Sequence, residues 1–276
     1  MTLKSIFLKI SLVVLLLAAL LSAGFLFRYY QAQTKANQAT LKIAVIGDHE
    51  GINPTFEHIL TELESQHVDL LVDVADLTNS GERAEMESVL ARLAQEPYRV
   101  EVVVGNNDLG PGNAPDDATF KELVRNPTYT SFDLEQVHVV LLDNANRRVG
   151  FSAEELAWLE ADLAANAQPV VLLFMHRPVD VPFEQLVGTD ETKQSRASNE
   201  HFVELIQRFE VDYVFTGHLE TFLEYSLGDV PLTVTGGAHN RPDQSGFGVS
   251  LPSTPHYILM TVQGKEVKVE KVSVEE

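Results

Sequence analysis

The sequence predicts an α/β protein in which a helix-flanked sheet gains a second β layer, preceded by an N-terminal transmembrane helix. Three observations carry this. From Leu41 onward, short apolar runs alternate with stretches of helical periodicity. Beyond residue 220 the pattern turns to strands alone, and five of the earlier runs stop at a residue with an oxygen or imidazole ligand. Those ends are Asp48, Asp76, Asn106, His176 and His218. A polar group at the carboxyl end of a buried strand stands where open α/β sheets build their sites.

The chain opens on an apolar stretch, Ile10 to Phe27, preceded by Lys4 and Lys9 and followed by Arg28, Tyr29 and Tyr30. About 18 residues is near the minimum for a spanning helix, and the Tyr pair suits an interfacial belt. Residues 1–30 are therefore read as a single-pass anchor with the domain on the extracytoplasmic side. A signal peptide cut near Ser22-Ala23-Gly24 is the other reading. Residues 31–40 form a polar linker, and 41–273 show no internal boundary.

There are no cysteines among the 276 residues, which excludes thiolate metal sites and cysteine nucleophiles. The formal net charge is −20. The first 39 residues hold four basic residues and no acid, so the rest of the chain sets 16 basic residues against 40 acidic. Such a surface repels polyanions, which argues against nucleic acid as a partner. No nucleophile elbow or P-loop is present.

In order, strand 41–47 precedes a helix over 55–66, with Phe56, Ile59, Leu60 and Leu63 at helical spacing. Strand 70–75 leads to a helix over 81–95, and strand 99–104 to a Pro/Gly-rich loop and a short helix near 118–125. Strands 129–134 and 137–142 follow. Ser152-Ala-Glu-Glu reads as a capping box opening a helix through 165. Strand 169–175, a helix over 199–209 and strand 212–216 come next. Strands 221–226, 231–235, 257–263 and 266–273 complete the chain, the last two joined by a Gln-Gly-Lys turn.

The strand ends carry spaced blocks: Gly47-Asp48-His49-Glu50, Ala75-Asp76-Leu77-Thr78-Asn79, Gly105-Asn106-Asn107-Asp108, His176-Arg177-Pro178 and Gly217-His218-Leu219-Glu220. Five such blocks in order resemble the calcineurin-like metallophosphoesterase family over residues 41–273. The resemblance implies a four-layer α/β/β/α sandwich, two divalent metal ions, and a metal-bound hydroxide that attacks a phosphomonoester or phosphodiester. It places Asp48, Glu50 and Glu220 on one ion, Asn106, His176 and His218 on the other, and Asp76 between them. It also places Asn107 near the phosphate of a small phosphorylated substrate; Arg177, which follows the His176 ligand position, is a further candidate for phosphate contact.

Departures from the pattern are informative. Glu50 and Glu220 stand where the family has histidines, so the first site is all carboxylate. That favours Mn²⁺, Mg²⁺ or Fe over Zn²⁺. Four carboxylates against two divalent ions leave a less positive centre, which predicts a slower or more metal-selective enzyme, or one that uses a trivalent ion. Asn107 replaces a histidine that assists the leaving group; an amide donates a hydrogen bond but delivers no proton. Asn79 replaces an outer aspartate. Residues 48 and 50 share a side, which sends His49 away, to the rim. His239, in Gly236-Gly-Ala-His-Asn, stands either in the cleft wall or in a plain loop. The remaining histidines, 58, 67, 138, 201 and 256, show no ligand pattern. A domain catalytically impaired by these changes and used for binding or regulation is the alternative function.

Overall fold

The computed structural model describes residues 40–110, 116–182, 192–239, 244–246, 249–251 and 254–274. The expected anchor, the linker up to residue 39 and parts of the loops at 110–117 and 180–198 lie outside the described residues. No helix among the described residues is long and apolar enough to cross a membrane.

The alternating half begins as β1 (Leu41–Ile46), α1 (Pro54–Gln66), β2 (Leu70–Asp73), α2 (Arg83–Leu93), β3 (Arg99–Val102) and α3 (Ala118–Leu123). It continues with β4 (Thr130–Leu134), β5 (Val137–Leu141), α4 (Ala153–Ala165), β6 (Val170–Phe174), α5 (Lys193–Arg208) and β7 (Tyr213–Thr216). The strand-rich remainder is β8 (Phe222–Leu227), β9 (Val230–Thr235), β10 (Gln244–Gly246), β11 (Val249–Leu251), β12 (His256–Gln263) and β13 (Glu266–Ser273).

Two main sheets result. One has the order β13-β12-β1-β2-β3 and the other β4-β5-β6-β7-β9-β8. Strands β1, β2 and β3 are parallel, as are β5, β6, β7 and β9, with antiparallel strands at the edges. The period of two sorts each strand's side chains between faces. In β1, Ile43 and Val45 join Val139, Leu172 and Phe215 of the other sheet in a cluster between the sheets. Ala44 and Ile46 face outward to Phe56, Ile59 and Leu63 of α1 and Met86 and Val89 of α2. On the far side, Val140, Leu173 and Val214 meet Leu156 and Leu159 of α4 and Phe202 and Ile206 of α5. Helices thus flank a pair of packed sheets, and all the parallel strands deliver their carboxyl ends to one edge.

Local signals explain most boundaries. Asn53 caps α1, its Oδ1 accepting from Phe56 N–H at 3.0 Å, with Pro54 in the first turn. Only half of the capping box at α4 forms. Ser152 Oγ accepts from Glu155 N–H at 3.1 Å, while the Glu155 side chain accepts from Asp143 N–H at 2.7 Å instead of reaching back. Helix α5 begins six residues before the expected Asn199. Thr192 caps it, and the buried Ser198 donates to Val149 O, so its opening turns carry polar residues rather than an apolar stripe.

Candidate metal centre

The five blocks meet at the shared sheet edge, and the backbone there is forced into an unusual shape. Ten non-glycine residues among those described have positive φ. Six of them belong to the blocks: Asp48 (60°), Glu50 (48°), Ala75 (85°), Asp76 (53°), His218 (72°) and Glu220 (48°). Left-handed backbone costs on the order of 1 kcal/mol or more at such residues and persists where the surroundings fix it. Here ladders between the loops fix it. Asp48 N–H donates to Ala75 O and Glu50 N–H to Asp76 O, both at 2.9 Å, and Gly51 N–H to Leu77 O at 2.8 Å. Two glycines allow the close approach. A Cβ on Gly105 would stand 2.2 Å from Asp76 Oδ1, and one on Gly236 2.0 Å from Asp48 Oδ2.

Asp76, His176 and His218 each offer a ligand atom, all within 4.8 Å of one another. His176 Nδ1 lies 2.9 Å from Val74 O, an acceptor, so that nitrogen carries the hydrogen. Its Nε2 then faces two further oxygens, Asn106 Oδ1 at 2.9 Å and Asp76 Oδ1 at 3.3 Å. Three lone pairs converging in a buried place need a shared cation or a proton. Burial lowers the His176 pKa, but Asp76 and Asp48 outweigh it and raise the group to about 9. His218 is driven the other way, well below its ordinary value, by burial and by the neighbouring Arg177 and His176 charges. A neutral imidazole is what a metal ligand requires. The donor set therefore fits a divalent ion.

The expected first group is arranged differently. Asp48 is fully buried, its Oδ1 accepting from His218 N–H at 2.9 Å and its Oδ2 from Glu220 N–H at 3.3 Å. Burial raises its pKa well above the carboxylate range; Asp76 and Glu220 push the same way, against His176. Glu50 Oε1 accepts from Asn107 Nδ2 at 3.0 Å. Glu220 Oε2 lies 3.6 Å from His239 Nε2, so His239 is in the cleft wall. Among the described residues Asp48, Glu50 and Glu220 are not drawn together as tightly as Asp76, His176 and His218. Arg177 is nearly buried, and its main chain is clamped by Asn144. Arg177 N–H donates to Asn144 Oδ1 at 2.9 Å, and Arg177 O accepts from Asn144 Nδ2 at 2.6 Å.

Some supporting residues escape the sequence patterns. His49 does point away from Asp48 and Glu50, but it is buried rather than on the rim. Its Nε2 meets Asp73 Oδ2 at 3.0 Å, its Nδ1 meets Gly51 O at 2.9 Å, and its ring stacks on Phe56. Burial lowers the His49 pKa, and Asp73 more than reverses this. Asp108, also buried, accepts from Thr78 N–H and Gly105 N–H at 2.9 Å each, tying the second block to the third. Asn79 is exposed, with its main-chain N–H donating to Glu85. His256 of β12 is fully buried, and His138 of β5 bridges Asp133 and Asp162, so both are strand residues with structural partners or packing.

Ligand-bearing strand ends meeting at the edge of two helix-flanked sheets define a metallophosphoesterase-like protein. A family model described as calcineurin-like phosphoesterase matches residues 41–219, more than half of the chain, and the chain belongs to that family. No curated protein matches the sequence significantly. Among solved structures, a purple acid phosphatase from yellow lupin seeds aligns with TM-score 0.64 and 15% identity, over 86% of this chain and 52% of its own. GAP50, titled the anchor in the inner membrane complex of Plasmodium, aligns with TM-score 0.59 and 13% identity, over 86% and 85%. A putative 5'-nucleotidase from Staphylococcus aureus aligns with TM-score 0.55 and 12% identity, over 86% and 55%. The chain thus spans about half the length of the phosphatase and of the nucleotidase. At these identities the likeness concerns the fold.

Proposed function

We propose that the chain is a metal-dependent phosphoesterase that hydrolyses a small phosphomonoester or phosphodiester with two divalent ions. The observation that carries this reading is the convergence of Asp76, His176 and His218, with Asn106 beside them. Asp76, Asn106, His176 and His218 would hold one ion; Asp48, Glu50 and Glu220 would hold the other, with Asp76 shared. Bound ions supply Lewis-acid chemistry, polarising phosphoryl oxygens and lowering the pKa of water. The carboxylate-rich set favours Mn²⁺, Mg²⁺ or Fe over Zn²⁺. Val74 O and the Nδ1 hydrogen of His176 orient that ring. Asn107 donates a hydrogen bond rather than a proton, and Arg177 adds positive charge beside His218. The purple acid phosphatase and nucleotidase neighbours support phosphate-ester chemistry for this fold.

The N-terminal apolar segment would anchor the chain as a single-pass protein with its domain outside the cytoplasm; resistance of the full-length chain to carbonate extraction from membranes tests this. A second reading, a non-catalytic binding domain, is favoured by one contact. Asn107 and Glu50, both departures from the family pattern, satisfy each other. A neighbour of this fold described as the anchor in a membrane complex is in keeping with a binding role. Release of nitrophenol from an aryl phosphodiester or monoester, stopped by a chelator and restored by added ion, decides between the two.

A further inference from the structure

The two glutamates that replace histidines each face another side chain, but not in the same way. Asn107 donates a normal hydrogen bond to Glu50 at 3.0 Å. His239 Nε2 stands 3.6 Å from Glu220 Oε2, too far for a hydrogen bond between them. That spacing suits two ligands sharing one ion, whose bonds run about 2.0–2.2 Å.

The backbone just before His239 is tied to the first block and to the cap of α1. Ala238 N–H donates to Gly47 O at 3.2 Å, and Ala238 O accepts from Asn53 Nδ2 at 3.2 Å. The Asn53 side chain also donates to His49 O at 2.8 Å and caps α1. His239 is 2% exposed, so its place is set by packing rather than by solvent. Gly236, on the same loop, packs directly against Asp48 Oδ2 and the Glu220 backbone. The loop that carries His239 thus lies against Asp48 and Glu220, and His239 faces Glu220.

We propose that His239 is a nitrogen ligand of the ion held by Asp48 and Glu220, supplying from the loop after β9 the imidazole that position 220 lacks. The inference rests on the two-ion part of the proposed function. It makes that site mixed nitrogen and oxygen rather than all carboxylate, which widens its tolerance toward Zn²⁺.

The test counts ions. Full-length protein, His239→Ala and His239→Asn are loaded with Mn²⁺, desalted and assayed for metal per chain, with titration calorimetry for affinity. We expect two ions in the unaltered chain and one in each variant, the lost site weakened at least tenfold. Retention of the other ion shows that the variants are folded. Added imidazole should restore the second ion to His239→Gly. Variants that keep two ions at unchanged affinity would overturn the assignment, as would loss that imidazole does not repair. One ion in the unaltered protein also overturns it but leaves a one-ion phosphoesterase; none overturns both readings.

Discussion

Asn107 Nδ2 donates to Glu50 Oε1 at 3.0 Å, joining two residues that both depart from the family pattern. The amide thus anchors a carboxylate from the position at which the family resemblance leads us to expect a histidine that serves the leaving group. With no proton donor at 107, hydrolysis should slow steeply as the leaving group becomes more basic. Replacing Asn107 with His should speed alkyl phosphate esters by about a hundredfold, the lower part of what general acids contribute, and change aryl esters little. Steady-state kcat/KM across a leaving-group series measures this.

The close approach at Gly105 yields a second prediction. A Cβ there would lie 2.2 Å from Asp76 Oδ1 and 2.4 Å from Asp76 N, so Gly105→Ala must displace Asp76, the ligand proposed to be shared. We expect ion affinity to fall at least about tenfold, roughly 1.4 kcal/mol, by calorimetry. Gly110→Ala, whose Cβ would meet nothing nearer than 3.7 Å, serves as the control and should leave affinity unchanged.

The buried His49–Asp73 pair, 3.0 Å apart, supports the first loop from below. Removing one partner strands the other in an apolar setting between Phe56 and the sheet. Asp73→Ala should cost about 3 kcal/mol, the scale for a broken buried pair, read as a lower urea midpoint at unchanged slope.

His138 provides a pH signature remote from the metal centre. Burial lowers its pKa, but hydrogen bonds to Asp162 and Asp133 outweigh this and raise it. A histidine raised on folding stabilises fully below its unfolded value of about 6.5, and the contribution fades as pH climbs through the raised folded value. His138→Gln should therefore cost more at pH 6 than at pH 9. About 1 kcal/mol is expected at pH 6, the low end because Asp133 is largely solvated. Paired denaturation curves at the two pH values check the sign.

Much of this architecture was legible because its causes are local. Alternating apolar runs placed the strands, and each main strand begins within one residue of expectation. The strand-end candidates for ligands were legible because a polar residue after a buried strand interrupts the pattern visibly. What the sequence hid depends on distant partners. Asp73 lies inside Leu70-Leu-Val-Asp-Val-Ala-Asp, and nothing local distinguishes it from Asp76 or reveals that His49 reaches it. His239 faces Glu220 only because β9 sits beside β7 and its following loop bonds back to Gly47. The first turns of α5 were missed because Ser195, Ser198 and Asn199 are buried polar residues.

The most direct measurement is a metal titration of the stripped full-length chain, with Mn²⁺, Mg²⁺, Fe and Zn²⁺ in turn, against an aryl phosphodiester and an aryl phosphomonoester. Turnover that needs an added ion and falls at least about a hundredfold in Asp76→Asn is the predicted result, on the scale of removing a key transition-state contact. A folded protein that hydrolyses neither ester with any ion, or an Asp76→Asn variant as active as the unaltered chain, would contradict the account.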